Sequence, residues 1–187
     1  MTETFIYQQK INPELCNAIV AKFKNNPTNW EGAIASIKLG KIIDKQVKNS
    51  KDNLLETTPD LCDWYIKELQ KVVEGYIEKY PWCDKYAAWK IAEGVNVQLY
   101  PPGGGFFSWH TERGSCVPPF SGRHLVFMTY LNDVTDGGET EFLHQGLKVQ
   151  PQKGLTLIWP ADWTHTHRGV ASPTQEKAIV TGWFNYV

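Results

Sequence analysis

An α+β fold is predicted, with supporting helices in residues 1–90 and a β-sandwich or barrel in residues 91–187. Two amphipathic helical patterns lie in the first part, and four β-rich runs punctuated by Gly and Pro lie in the second. Helices first and strands afterwards is the α+β order.

Asn12-Pro13-Glu14 starts the first helix: a capping residue, a proline in the first turn, then a carboxylate near the positive helix end. Leu15, Ile19, Val20 and Phe23 follow at helical spacing, and Asn25-Asn26-Pro27 stops the run. Residues 30–41 are read as including a strand, and residues 45–53 as a polar loop. The second helix begins after Thr58-Pro59-Asp60. Its apolar stripe is Leu61, Trp64, Tyr65, Leu69, Val72, Val73 and Tyr76, and Pro81 follows its end. Residues 96–100 alternate polar and apolar before Pro101-Pro102-Gly103-Gly104-Gly105. Residues 124–131 form a β-rich run closed by Asn132-Asp133. Residues 154–159 form another, halted by Pro160, and residues 178–187 form the last.

At 187 residues the chain suits one domain, 1–187, with 42% apolar residues to build its core. Nineteen basic and twenty acidic residues give a net charge of −1, which removes the electrostatic argument for a nucleic-acid or membrane partner. Cys16, Cys62, Cys83 and Cys116 are scattered without a CxxC pair and read as free thiols. The first residues lack a basic n-region and a long apolar stretch, and no run of about 18 apolar residues occurs. A soluble, cytoplasmic protein is the expectation. Oligomeric state is not legible.

Chemistry begins at Trp109-His110-Thr111-Glu112. On a strand, side chains two apart share a face, so His110 and Glu112 could converge on one ion. A distant second histidine would complete a 2-His-1-carboxylate triad, which leaves open positions on Fe(II). Residues 162–169 offer His165 and His167, which share a face if extended, so geometry does not choose between them. Lys177, Ile179, Thr181 and Trp183 also share a face in the last strand. A lysine inside a barrel needs an anionic partner, and a dicarboxylate would supply one. His124 and His144 are left over. Arg113, Arg123, Glu141 and Arg168 flank the motifs as candidate substrate contacts.

From Tyr100 to Trp183 the sequence resembles the prolyl 4-hydroxylase branch of the Fe(II)/2-oxoglutarate dioxygenases. That branch carries a tyrosine about ten residues before a His-x-Asp pair, with glycines between, as Tyr100, Gly103 and Gly104 precede His110. It then shows Tyr-Leu-Asn-Asp, here residues 130–133, and Gly-Gly-Glu-Thr, here residues 137–140 with Phe142 beyond. A Pro-x-x-Gly turn follows, here residues 151–154. The distal histidine has a glycine two residues later and a lysine ten later, which His167, Gly169 and Lys177 fit and His165 does not.

The resemblance implies a double-stranded β-helix (jelly-roll) core, with iron held by His110, Glu112 and His167. Tyr100, Thr129, Thr181 and Trp183 should line the 2-oxoglutarate pocket, with Lys177 on the distal carboxylate. It implies Fe(II), 2-oxoglutarate as cosubstrate and O2, and allows for ascorbate. The implied reaction is hydroxylation of a C–H bond with release of succinate and CO2. The leading substrate is a prolyl residue in a peptide or protein, with a small molecule or another side chain as the in-family rival. Glu112 stands where the branch usually has Asp, and Phe107 stands where it often has a tyrosine. The rivals from other classes are a jelly-roll module that binds a sugar or small ligand without catalysis, and a zinc hydrolase using the same three ligands.

Overall fold

A computed structural model describes residues 3–36 and 40–187 of the chain. The first part contributes β1 (Tyr7–Lys10), α1 (Pro13–Phe23), β2 (Trp30–Glu31), β3 (Ile34–Ser36), β4 (Gly40–Ile42), β5 (Lys51–Leu54) and α2 (Pro59–Lys79). The second part contributes β6 (Trp89–Ile91), β7 (Asn96–Tyr100), β8 (Arg123–Tyr130), β9 (Thr140–Phe142) and β10 (Leu147–Val149). It continues with β11 (Leu155–Pro160), β12 (His167–Gly169) and β13 (Lys177–Tyr186).

The Asn12 side chain caps α1, accepting the Glu14 N–H at 2.9 Å. Leu15, Ile19 and Phe23 of α1 and Tyr65, Leu69, Val72, Val73 and Tyr76 of α2 are buried together. They cover one face of an antiparallel sheet ordered β1-β11-β8-β13-β7-β5-β2, with β6 also on β13. A smaller antiparallel sheet, β10-β9-β12, faces the other side. Between the sheets, Val126, Met128, Tyr130, Leu157, Trp159 and Ile179 meet Phe142 and Val149. This two-sheet core is the sandwich the strand spacing predicts and the jelly roll the family resemblance implies.

The central strand β8 is covered on both faces. Leu125 and Phe127 pack toward the helices, while Val126, Met128 and Tyr130 pack between the sheets. A strand buried on both sides reads as one apolar run, which is how residues 124–131 declare themselves.

The stretch read as a polar loop, residues 45–53, departs from the expectation: it contains β5, which pairs with β7. Its buried polar groups find partners. Lys48 meets Asp52 at 2.6 Å, Ser50 donates to Asp52 at 2.7 Å, and Asn53 donates to Thr28 and Asn29. Burial is tolerated because each group is satisfied, and hydropathy cannot detect such a strand. Residues 30–41 hold β2, β3 and β4, with residues 37–39 outside those described. All four cysteines are unpaired. Among the described residues no helix is long and apolar enough to cross a membrane.

Candidate metal centre and its pocket

After β7 the chain returns so that His110 forms a reciprocal backbone bridge with His167 at the start of β12. Each N–H donates to the other's carbonyl, at 3.0 and 2.9 Å. The His-x-Glu pair thus lies on an isolated bridge and the turn after it, not on a regular strand as expected. The side chains converge all the same. Glu112 Oε1 lies 3.6 Å from His110 Nε2 and 3.5 Å from His167 Nε2. One donor atom from each of the three residues falls within 4.8 Å of the others, a group able to hold a metal ion.

Backbone carbonyls fix both imidazoles. His110 Nδ1 lies 2.9 Å from the Ser108 carbonyl, and His167 Nδ1 lies 2.9 Å from the His165 carbonyl. A carbonyl only accepts, so each Nδ1 carries a proton, and Nε2 is the atom each ring turns toward the cluster. The Phe106 ring stacks on His110 at 3.8 Å, and Trp159 and Phe142 pack against His167. Burial pushes the His167 pKa down, and the neighbouring His110 pushes it further. Burial alone would raise the Glu112 pKa, but hydrogen bonds and attraction from the two imidazoles hold it well below the usual carboxylate range. A metal ion would displace any proton on the two Nε2 atoms and take the carboxylate as an anion.

A cavity of about 1030 Å³ opens beside the triad. Lys177, Ile179, Thr181 and Trp183 line it from β13, with Tyr100, Met128 and Thr140. Lys177 pairs in register with Tyr100 and is 5% exposed. Its ammonium donates to the Gly138 carbonyl at 3.0 Å and the Val170 carbonyl at 3.4 Å, and lies 5.0 Å from the Tyr100 ring centre. Desolvation lowers its pKa to about 8, offset in part by attraction from Glu139. The turn before β9 needs φ of 74° and 80° at Gly137 and Gly138, which glycine adopts without strain. That turn brings the Gly138 carbonyl to Lys177 and Thr140 to the cavity, where Tyr130 donates to Thr140 at 2.6 Å.

Of the residues expected in the pocket, Tyr100, Lys177, Thr181 and Trp183 line it and Thr129 does not. Thr129 is fully buried on the opposite face of β8, hydrogen-bonded to Tyr65 of α2 at 2.8 Å and Thr156 at 2.7 Å. Met128 and Tyr130 take the inner face, so the correction follows from the alternation of the strand. Thr129→Val is expected to cost about 1 kcal/mol of stability and leave 2-oxoglutarate binding unchanged, as thermal unfolding and titration would show.

His165 is committed elsewhere, with Nε2 3.0 Å from the Thr4 carbonyl and Nδ1 3.0 Å from the Thr164 hydroxyl. His124 contacts the Cys83 carbonyl, and His144 packs edge-on against Trp163. Arg168 pairs with Glu141, Arg113 with Asp162, and Arg123 turns inward to Glu93 and Glu112. Sequence reasoning missed Phe106, Trp159 and Thr140 as walls of the site. The Gly-Gly-Glu-Thr motif was the available signal for Thr140.

A family model described as the 2OG-Fe(II) oxygenase superfamily matches residues 95–185. No curated protein matches the sequence. Among solved structures, the chain is similar to the viral collagen prolyl hydroxylase of Paramecium Bursaria Chlorella virus-1 in its 2OG complex. The identity is 21%, covering 98% of this chain and 97% of that one, with a TM-score of 0.69. A Pseudomonas putida prolyl-4-hydroxylase is 18% identical over 97% and 92% of the two chains, with a TM-score of 0.71. A Trichoplax adhaerens prolyl hydroxylase, solved with a hypoxia inducible factor oxygen degradation domain peptide fragment, is 16% identical over 98% and 84%, with a TM-score of 0.76. At these identities the likeness is one of fold, a double-stranded β-helix carried over nearly the whole chain.

Proposed function

We propose, from the match of residues 95–185 to the 2OG-Fe(II) oxygenase superfamily, that the chain hydroxylates a prolyl residue in a peptide or protein. The observation that carries the cosubstrate reading is Lys177, a buried ammonium with no ion-pair partner among the described residues, in the cavity that the triad borders. A buried cation of this kind is matched by an anion that arrives with the ligand.

The donor set fits ferrous iron. Two imidazoles and a carboxylate leave coordination positions for an oxo-acid and O2. When bound, iron with 2-oxoglutarate and O2 supplies the oxidative decarboxylation that hydroxylates a C–H bond and releases succinate and CO2. The protein's own work is placement. His110 and His167 would hold the metal through Nε2 and Glu112 through Oε1, and Lys177 would pair with the distal carboxylate beside Thr140. Phe106, Trp159 and Ile179 wall the site against water.

The prolyl assignment is supported by the prolyl hydroxylases among the structural neighbours. It is also supported by Trp183, Phe120 and Trp30 on the cavity wall, apolar surfaces suited to a neutral five-membered ring. The test is succinate release with Fe(II), 2-oxoglutarate and proline-containing peptides, with and without ascorbate, alongside mass spectrometry of the peptide. A gain of one oxygen on proline is the expected result. Succinate release with hydroxylation only of another residue or a small molecule would move the substrate while keeping the chemistry. Zinc-dependent hydrolysis without any 2-oxoglutarate requirement would overturn the whole reading.

A further inference from the structure

We propose that Arg123 is a positioning residue matched to Glu112, holding one carboxylate oxygen aside so that the other alone serves as metal ligand. This rests on the iron-site reading above.

The carboxylate of Glu112 has its two oxygens in different settings. Oε1 faces the Nε2 atoms of both histidines. Oε2 accepts from Trp183 Nε1 at 3.0 Å and from Arg123 Nη1 at 3.2 Å. Arg123 Nη1 also donates to the Glu112 main-chain carbonyl at 3.1 Å, so the residue is held at both backbone and side chain. Two donors on Oε2 satisfy that oxygen and leave Oε1 free for the metal. Bidentate coordination would require Oε2 to give both up.

Arg123 is itself fixed. It opens β8, is 5% exposed, and its guanidinium carbon sits 3.5 Å from the Trp183 ring and 4.7 Å from the Phe120 ring. Glu93 occupies the far side of the fork, accepting from Nε at 2.8 Å and Nη2 at 2.6 Å. Asn185 donates to Glu93 at 3.1 Å and to the Pro119 carbonyl at 3.2 Å. Glu93 takes the Nε and Nη2 edge, and Nη1 reaches Glu112 at its carbonyl and at Oε2, so Arg123 meets the carboxylate through one oxygen. Glu93 also pairs with the guanidinium, so the charge of Arg123 is not committed to Glu112 alone. The extra methylene of glutamate carries its carboxylate out to this clamp.

The consequence is a preference for glutamate over the shorter aspartate. Glu112→Asp would withdraw Oε2 from Arg123 and Trp183 and leave two buried donors without their acceptor. The test is Co(II) titration in place of Fe(II), read by the d–d absorption of the bound ion. It would compare wild type, Glu112→Asp, Arg123→Met, the double variant and Trp183→Phe, with folding checked by circular dichroism. Glu112→Asp and Arg123→Met are each expected to weaken Co(II) binding by roughly 10–100-fold, the range for outer groups that orient a ligand. Arg123→Met should also change the Co(II) band as the carboxylate gains a second bond. The double variant should bind no worse than Arg123→Met alone, because the two changes break one interaction. Where Arg123→Met does not fold, the same cycle with Trp183→Phe, which removes only one donor to Oε2, decides the matter. Costs that simply multiply, or Glu112→Asp binding as tightly as wild type, overturn the proposal and leave the iron site standing. Wild type that binds no Co(II) overturns both.

Discussion

Lys177→Met is expected to make the protein more stable and a much poorer user of 2-oxoglutarate. The ammonium of Lys177 is buried against carbonyls, and its pKa falls from 10.5 to about 8 through desolvation. The unfolded chain therefore binds more protons than the folded one between about pH 8 and 10.5, so this group's contribution makes stability rise with pH across that window. Below it the folded protein carries the full cost of a charged buried group, roughly 3 kcal/mol by the size of the shift. Methionine removes that cost, and the melting temperature without cosubstrate should rise by several degrees at pH 7. With 2-oxoglutarate and metal present, wild type gains stability by mass action and the variant gains far less. Truncating one partner of a buried charge pair costs about 2–5 kcal/mol, so the 2-oxoglutarate KM should rise roughly 30-fold or more. In wild type the affinity for 2-oxoglutarate should weaken as pH rises above about 8, where the free enzyme's ammonium loses its proton. A Lys177→Met protein that melts lower and keeps its KM would show that the lysine is structural.

His167→Ala should abolish Fe(II)-dependent succinate formation, by roughly 1000-fold or more, since even outer-shell changes at metal sites cost about 10–100-fold. Its partner experiment is His165→Ala. That imidazole spends its nitrogens on the Thr4 carbonyl and the Thr164 hydroxyl. The His165 variant should lose about 1 kcal/mol of stability while still forming the charge-transfer band of the Fe(II)–2-oxoglutarate chelate under anaerobic conditions. The His167 variant should show no such band at any 2-oxoglutarate concentration. Reversal of the two phenotypes would exchange their roles.

Much of this arrangement is legible in the residues. The last strand alternates faithfully, so Lys177, Ile179, Thr181 and Trp183 emerge on one face and line one cavity. The resemblance, through a glycine two residues and a lysine ten residues after the distal histidine, separates His167 from His165 before any geometry is known. Thr129 fails for a physical reason: β8 is apolar on both faces, so its sequence does not tell which face looks inward. Only register with β11 and β13 fixes that Met128 and Tyr130 do. β5 fails because Lys48, Ser50, Asp52 and Asn53 look like a solvated loop, although Lys48 and Ser50 pair locally with Asp52, and Asn53 finds Thr28 and Asn29 from an earlier segment. Arg123 is visible in the sequence only as a charge near the motif. Its engagement with Glu93 depends on residues 30 apart being brought together.

The reciprocal hydrogen bonds between His110 and His167 have a consequence for which metal the cell would find in this protein. They tie the two imidazole ligands together through main chain, and carbonyls aim both rings. Main-chain bonds and carbonyls supply the orientation of these ligands, so little of the metal's binding energy goes into folding, unlike a zinc finger. A rigid three-ligand cradle of nitrogen and oxygen follows the general affinity order of divalent ions, in which cobalt, nickel, copper and zinc all exceed ferrous iron. Correct metallation then depends on iron being the more available ion when the protein is made. Purified protein is expected to carry a mixture of metals that reflects the growth medium, and elemental analysis before and after iron reconstitution would show it.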